Sequence, residues 1–168
     1  MMRANALANY FKGGRQVPLL ISWSGQVHEF HHLVCDLNGT LAVDGKLVNG
    51  VAQRLRMLGQ SLNIAILTAA THGGTDAVSR DTDIVPVIIG TTEDKTQYIQ
   101  SLSGGTIAIG NGNNDFGMLT AADLAIVVVG NEGAAAKLLS VADVLVHSPL
   151  DGLDLLLYPK RLTATLRA

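Results

Sequence analysis

The stretch Leu33–Gly45, LVCDLNGTLAVDG, decides how the chain reads. A short apolar run holding the chain's one cysteine, Cys35, ends on a carboxylate, Asp36, and turns at once through Asn38-Gly39-Thr40. An apolar run of this length bounded by a turn signal reads as a buried strand. A strand that stops on a carboxylate beside a tight turn offers that carboxylate for use. Two residues on stands Asn38, an amide where a second carboxylate would complete an acid–base pair.

Similar runs recur along the chain and predict strands over 33–37, 63–68, 84–89, 106–110, 123–129 and 143–147. Between them, 51–58, 74–80, 93–102, 114–122 and 132–141 carry helical spacing or runs of good helix formers. Continuous apolar strands linked by helices mean a mostly parallel α/β sheet covered on both faces. Ahead of it, VPLLISWSGQVHEFHHLV reads as a β-hairpin turning at Ser24-Gly25. The expectation is a tail over 1–16 and a single three-layer, Rossmann-like α/β domain over 17–168. The intervals from Asp36 to Thr68 and from Thr68 to Lys95 are too short for an inserted cap domain.

Composition narrows the function classes. Of 168 residues, 48% are hydrophobic and only 4% aromatic, so aliphatic side chains must fill the core. Charged residues make up 15% with a net charge of −2, which leaves no basic surface for nucleic acid and no polybasic membrane patch. The single cysteine excludes an intrachain disulfide and reads as a small buried hydrophobe. No apolar run is long enough to span a bilayer, and the N-terminus lacks the apolar length of a signal peptide. The expectation is a cytoplasmic protein. Its low charge and high apolar content suggest a homo-oligomer, a dimer or tetramer.

In an open parallel sheet, ligands sit beyond the carboxyl ends of the strands. Four polar features fall there: Asp36 with its turn, Thr68, Lys95 at a helix start, and Gly110-Asn111-Gly112-Asn113-Asn114-Asp115. Taken singly, these are a turn, a strand-end hydroxyl, a solvated lysine and a glycine turn with a capping asparagine. Together they suit a phosphoryl group: hydroxyl and ammonium hold its oxygens, hard oxygen ligands hold Mg²⁺, and the carboxylate attacks phosphorus. His72, just after Thr68, is a further candidate for substrate contact. His28, His31 and His32 lie in the hairpin with no partner at metal-ligand spacing and read as surface or edge-strand residues.

The four motifs in this order resemble the signature of the haloacid dehalogenase-like hydrolase superfamily, over roughly 33–148. The nearest likeness is to its capless, soluble P-type-ATPase-like group. The resemblance implies that Asp36 is nucleophile and metal ligand and that Asn38 lends its backbone carbonyl to the metal. It implies that Thr68 and Lys95 serve catalysis and, with Ala69 and Asn114, bind the substrate. Asn111 and Asp115 would complete the Mg²⁺ site.

Two positions depart from the family's phosphatases, which carry acids where this chain has Asn38 and Asn111. An amide at 38 cannot move a proton, and an amide at 111 brings no charge to a cation. The expectation is a Mg²⁺-dependent phosphohydrolase of weakened acid–base capacity acting on a small phosphorylated molecule. The alternatives are a non-catalytic domain binding metal and phosphate, and a slow P-type-ATPase-like ATP hydrolase.

Overall fold

The structure, a computed structural model, describes residues 16–69 and 75–167. His72 and residues 1–15 of the expected tail lie outside them. Strands β1 (Leu19–Trp23) and β2 (Gln26–Asp36) form the antiparallel hairpin, with Trp23 opposite Gln26. Its turn residues Ser24 and Gly25 both take positive φ, 50° and 75°, matching the right-handed twist of the strands. The second half of β2 then becomes the centre of a parallel sheet.

That sheet also holds β5 (Asn63–Thr68), β6 (Val87–Ile88), β7 (Gly105–Gly110), β8 (Leu124–Val128) and β9 (Val144–Val146). The order is β6-β5-β2-β7-β8-β9. Among the described residues, the strand structure between β2 and β5 is a two-stranded ribbon, β3 (Ala42–Val43) and β4 (Lys46–Leu47). Both edge strands are short, which limits edge-to-edge pairing.

Alternate residues of the central strands face opposite layers. Leu33, Cys35, Ile107, Ile109 and Ile126 pack under α1 (Val51–Leu58) and α5 (Pro149–Leu157). Val34, Leu67, Ala108, Ala125 and Val127 pack under α3 (Thr92–Gln100) and α4 (Phe116–Ala121). Helix α2 (Thr75–Thr82) lies beside α1, and α6 (Pro159–Thr165) packs on β1 and α5. Among the described residues, no helix is long and apolar enough to cross a membrane.

The sheet matches the sequence expectation, with three corrections. The expected strand 84–89 pairs only at Val87–Ile88, because Pro86 has no N–H to give the ladder. The expected helix over 132–141 reduces to a 3₁₀ turn, Ala136–Ser140. Tertiary hydrogen bonds hold the preceding residues extended: Ala135 N–H donates to the Asn111 carbonyl (2.8 Å), and the Gly133 carbonyl accepts from Asn111 Nδ2 (3.0 Å). Finally, α5 and α6 follow β9 where no helix was anticipated. Ser148 caps α5 and Pro149 begins it, and Asp154 ties it to α1 through a two-pronged pair with Arg54 (2.7 and 3.0 Å).

Register in the sheet is pinned by two aspartates. Asp123 accepts from Thr106 N–H (2.8 Å) and returns its own N–H to the Thr106 carbonyl; Asp143 and Ala125 repeat the exchange. A register shift between Phe30 and His32 brings the β2 backbone against Gly105. A methyl group on Gly105 would land on the Glu29 carbonyl oxygen. Gly105→Ala is therefore expected to destabilise the fold by about 1–3 kcal/mol, the usual cost of overpacking. Its denaturation midpoint in urea checks this, and an unchanged midpoint would contradict the close approach.

Candidate active site

Asp36 is the last residue of the central strand and points into the α3/α4 layer. Lys95 reaches it from the first turn of α3, which is fixed by a capping box: Thr91 Oγ1 accepts from Asp94 N–H (3.2 Å), and Asp94 accepts from Thr91 N–H (2.9 Å). The Lys95 ammonium lies 2.6 Å from Asp36 Oδ1 and 2.7 Å from Asp115 Oδ1. All three residues are shielded, at 1% exposure for Lys95, 6% for Asp36 and 0% for Asp115. Burial opposes the Lys95 charge, but the two carboxylates outweigh it and hold its pKa above the usual lysine value.

Asp115 comes from the loop after β7. Its Oδ2 accepts from the N–H groups of Asn111 (3.0 Å) and Gly112 (2.9 Å), so the carboxylate both shapes the loop and braces Lys95. A Cβ on Gly110 would crowd this carboxylate at 2.7 Å, which explains the glycine. Asn111 is stitched on two sides: its Nδ2 donates to the Gly133 carbonyl, and its Oδ1 faces Thr40 Oγ1 at 3.1 Å.

Thr40, unassigned by the sequence reading, is buried at the centre of the cluster. Its hydroxyl lies 3.2 Å from Asp36 Oδ2 and 3.1 Å from Asn111 Oδ1. It has one hydrogen for two acceptors, so one of these two hard oxygens is left without it. That donor set fits a cation such as Mg²⁺. It is a lightly charged set: among the described residues, no group of three or more His, Cys, Asp or Glu side chains stands together as a metal site.

The other candidates among the described residues lie around this core. Asn38 is exposed at the strand end, and its Nδ2 is 3.4 Å from the buried Thr68 Oγ1. Ala69 follows Thr68 and is exposed. Asn114 is exposed at the start of the next helical turn, with its side-chain oxygen close over Gly112. The hairpin histidines stay apart from the site: His28 stacks on Trp23, His31 pairs with Glu29 and His32 meets the Ser103 carbonyl. The ribbon joins the site's rim where Asp44 N–H donates to Glu132 (2.9 Å). Its Asp44-Gly45 turn, with both φ positive, was the sequence signal that could have revealed it.

No family model matches the chain. It is 54% identical over 61 residues to one uncharacterised protein of Methanocaldococcus jannaschii, across 36% of this chain and 66% of that protein. It is 49% identical over 39 residues to a second, across 23% of this chain and 89% of the relative, and belongs to one family with it. Among solved structures, it resembles the cobalt-bound deoxy-D-mannose-octulosonate 8-phosphate phosphatase of Haemophilus influenzae (TM-score 0.64, 12% identity, 80% of this chain and 91% of that one). It also resembles the Moraxella catarrhalis phosphatase bound to magnesium, phosphate and KDO (0.64, 16%, 81% and 92%). A phosphoserine phosphatase is similar too (0.61, 12%, 77% and 98%). The fold is that of the haloacid dehalogenase-like hydrolases.

Two measurements test the site's electrostatics. Burial first, and then the Asp115 charge, push the Asp36 carboxyl up to about 6 against the pull of Lys95 and Thr40. An unfolded aspartate titrates near about 3.9, so folding favours protonation of Asp36 between these values. The stability this confers is full below the unfolded value and lost as pH rises through about 6. In metal-free buffer, wild-type stability relative to Asp36→Asn is expected to decline between roughly pH 4 and 7; a flat difference would count against the shift. Separately, Asn111→Asp removes the donor to the Gly133 carbonyl and is expected to cost about 1–3 kcal/mol. Thermal melts of wild type and variant compare the two.

Proposed function

We propose that this chain, folded as a haloacid dehalogenase-like hydrolase, is a Mg²⁺-dependent phosphohydrolase of a small phosphorylated molecule, with Asp36 as the nucleophile. The observation that carries the reading is the buried Asp36–Lys95–Asp115 chain at the carboxyl end of the central strand. The likeness to three phosphatases supports it.

In this reading a carboxylate oxygen of Asp36 attacks phosphorus and forms an aspartyl-phosphate. Lys95 orients the carboxylate through Oδ1 and offsets charge as phosphoryl oxygens approach. Thr68, Ala69 and Asn114 line the approach and hold those oxygens. Asp36, the Asn38 carbonyl and Asn111 Oδ1 would hold the cation, with Asp115 bracing the loop behind them. Bound Mg²⁺ supplies positive charge that screens the phosphoryl oxygens from the nucleophile. Asn38 and Asn111 leave acid–base capacity and cation affinity low, so turnover is modest. The reading extends to a cytoplasmic homo-oligomer.

The two amides also favour a second reading, a domain that binds metal and phosphate without turnover. Assays with acetyl phosphate or p-nitrophenyl phosphate decide between them. The expected result is Mg²⁺-dependent hydrolysis that chelation abolishes and that Asp36→Asn lowers at least about a thousandfold in kcat/KM. Phosphate binding without turnover would favour the binder, and turnover indifferent to Asp36→Asn would sink the proposal.

A further inference from the structure

We infer that the site is restricted to phosphoryl groups whose leaving group departs as a stable anion, an acyl phosphate or phosphoanhydride rather than an alkyl phosphate ester. This rests on the reading of Asp36 as nucleophile and narrows its substrate class.

A proton for the leaving oxygen would have to come from a side chain close to Asp36. Among the described residues in contact with Asp36, each titratable side chain is already committed. Asp115 is sealed at 0% exposure, with Oδ1 on Lys95 and Oδ2 on two backbone N–H groups. Lys95 is nearly as buried, at 1% exposure, with its ammonium held between the two carboxylates at 2.6 and 2.7 Å. Cys35 is fully buried on the opposite face of the sheet, out of reach of the site. What remains beside Asp36 is Thr40 and Thr68, whose hydroxyls do not titrate near neutral pH, and the amides of Asn38 and Asn111; Glu132, in the loop that Asn111 ties down, turns its carboxylate to the Asp44 N–H. Asn38 stands exposed just past the end of β2, beside Thr68, and its amide has no acidic proton to give.

The first step balances without an acid only for certain substrates. A carboxylate oxygen of Asp36 forms a bond to phosphorus as the bond from phosphorus to the leaving oxygen breaks. The electron pair stays on that oxygen. A carboxylate or phosphate leaving group keeps the pair as a stable anion, whereas an alkoxide requires a proton in the transition state. Water then attacks the aspartyl-phosphate, giving inorganic phosphate, the free Asp36 carboxylate and a proton released to solvent. This second step is common to all substrates, so leaving-group selectivity appears in kcat/KM, which reports the step up to the intermediate.

The test measures kcat/KM with Mg²⁺ for acetyl phosphate, p-nitrophenyl phosphate and glycerol phosphate, on wild type and Asn38→Asp. The expected wild-type ratio of acetyl phosphate to glycerol phosphate exceeds about 10²-fold. Asn38→Asp is expected to narrow it by raising the alkyl ester about 10²–10⁴-fold, the usual worth of a general acid. A series of aryl phosphates graded by leaving-group acidity tests the wild type alone: a steep dependence supports the inference and a flat one overturns it. Asp36-dependent turnover of alkyl and acyl phosphates at similar kcat/KM overturns the substrate class and leaves the hydrolase standing. No Asp36-dependent turnover of any substrate overturns both.

Discussion

The Lys95 ammonium, held between Asp36 and Asp115 out of reach of water, is the interaction on which the rest of the structure turns. A lone charge in that position would be costly, and removing one member of a buried pair typically costs about 3–5 kcal/mol. The three residues come from a strand end, a helix start and a loop, so the bridge fixes β2, α3 and the turn after β7 relative to one another. The capping box at Thr91, the glycine at 110 and the backbone donors of Asn111 and Gly112 all serve to keep this bridge in register.

Asparagine at positions 38 and 111 changes what such a bridge can support. With carboxylates there, the cluster would be strongly negative and would depend on a cation for its own stability. With amides, one lysine meets two aspartates and little charge is left over. Asn111 also does what an aspartate cannot, giving an N–H to the Gly133 carbonyl and tying the 130–135 loop to the site. That loop reaches the ribbon through Glu132, so hydrogen bonds link Asn111 to Asp44 across it.

Much of the fold was legible because it rests on local signals. Apolar runs ending in turns marked the strands, and Ser24-Gly25 marked the hairpin. The motif residues at the strand ends were legible as types in order, and the structure brings Asp36, Lys95, Asp115 and Asn111 into one cluster. What escaped was set by distant partners. The alanine run at 134–136 has high helix propensity, yet Asn111 holds its beginning extended. Thr40 was hidden because a threonine in an Asn-Gly turn looks local; its second partner lies 71 residues away. The Asp123 and Asp143 clamps were equally invisible, since each works across strands.

The two faces of the sheet are unequal. Toward α1 and α5 they present large aliphatics such as Leu33, Ile107 and Ile109; toward α3 and α4 they present Ala108 and Ala125 among Val34, Leu67 and Val127. There α4 also crosses α3 with Gly117 against Thr96, where a methyl group would strike the threonine hydroxyl. Volume added at Gly117 would press on α3, and α3 carries Lys95. The α1/α5 face can exchange one aliphatic for another by repacking, at modest cost. Aliphatic exchange is therefore tolerated on the α1/α5 side, while on the other the tight Gly117–Thr96 contact sits one residue from Lys95.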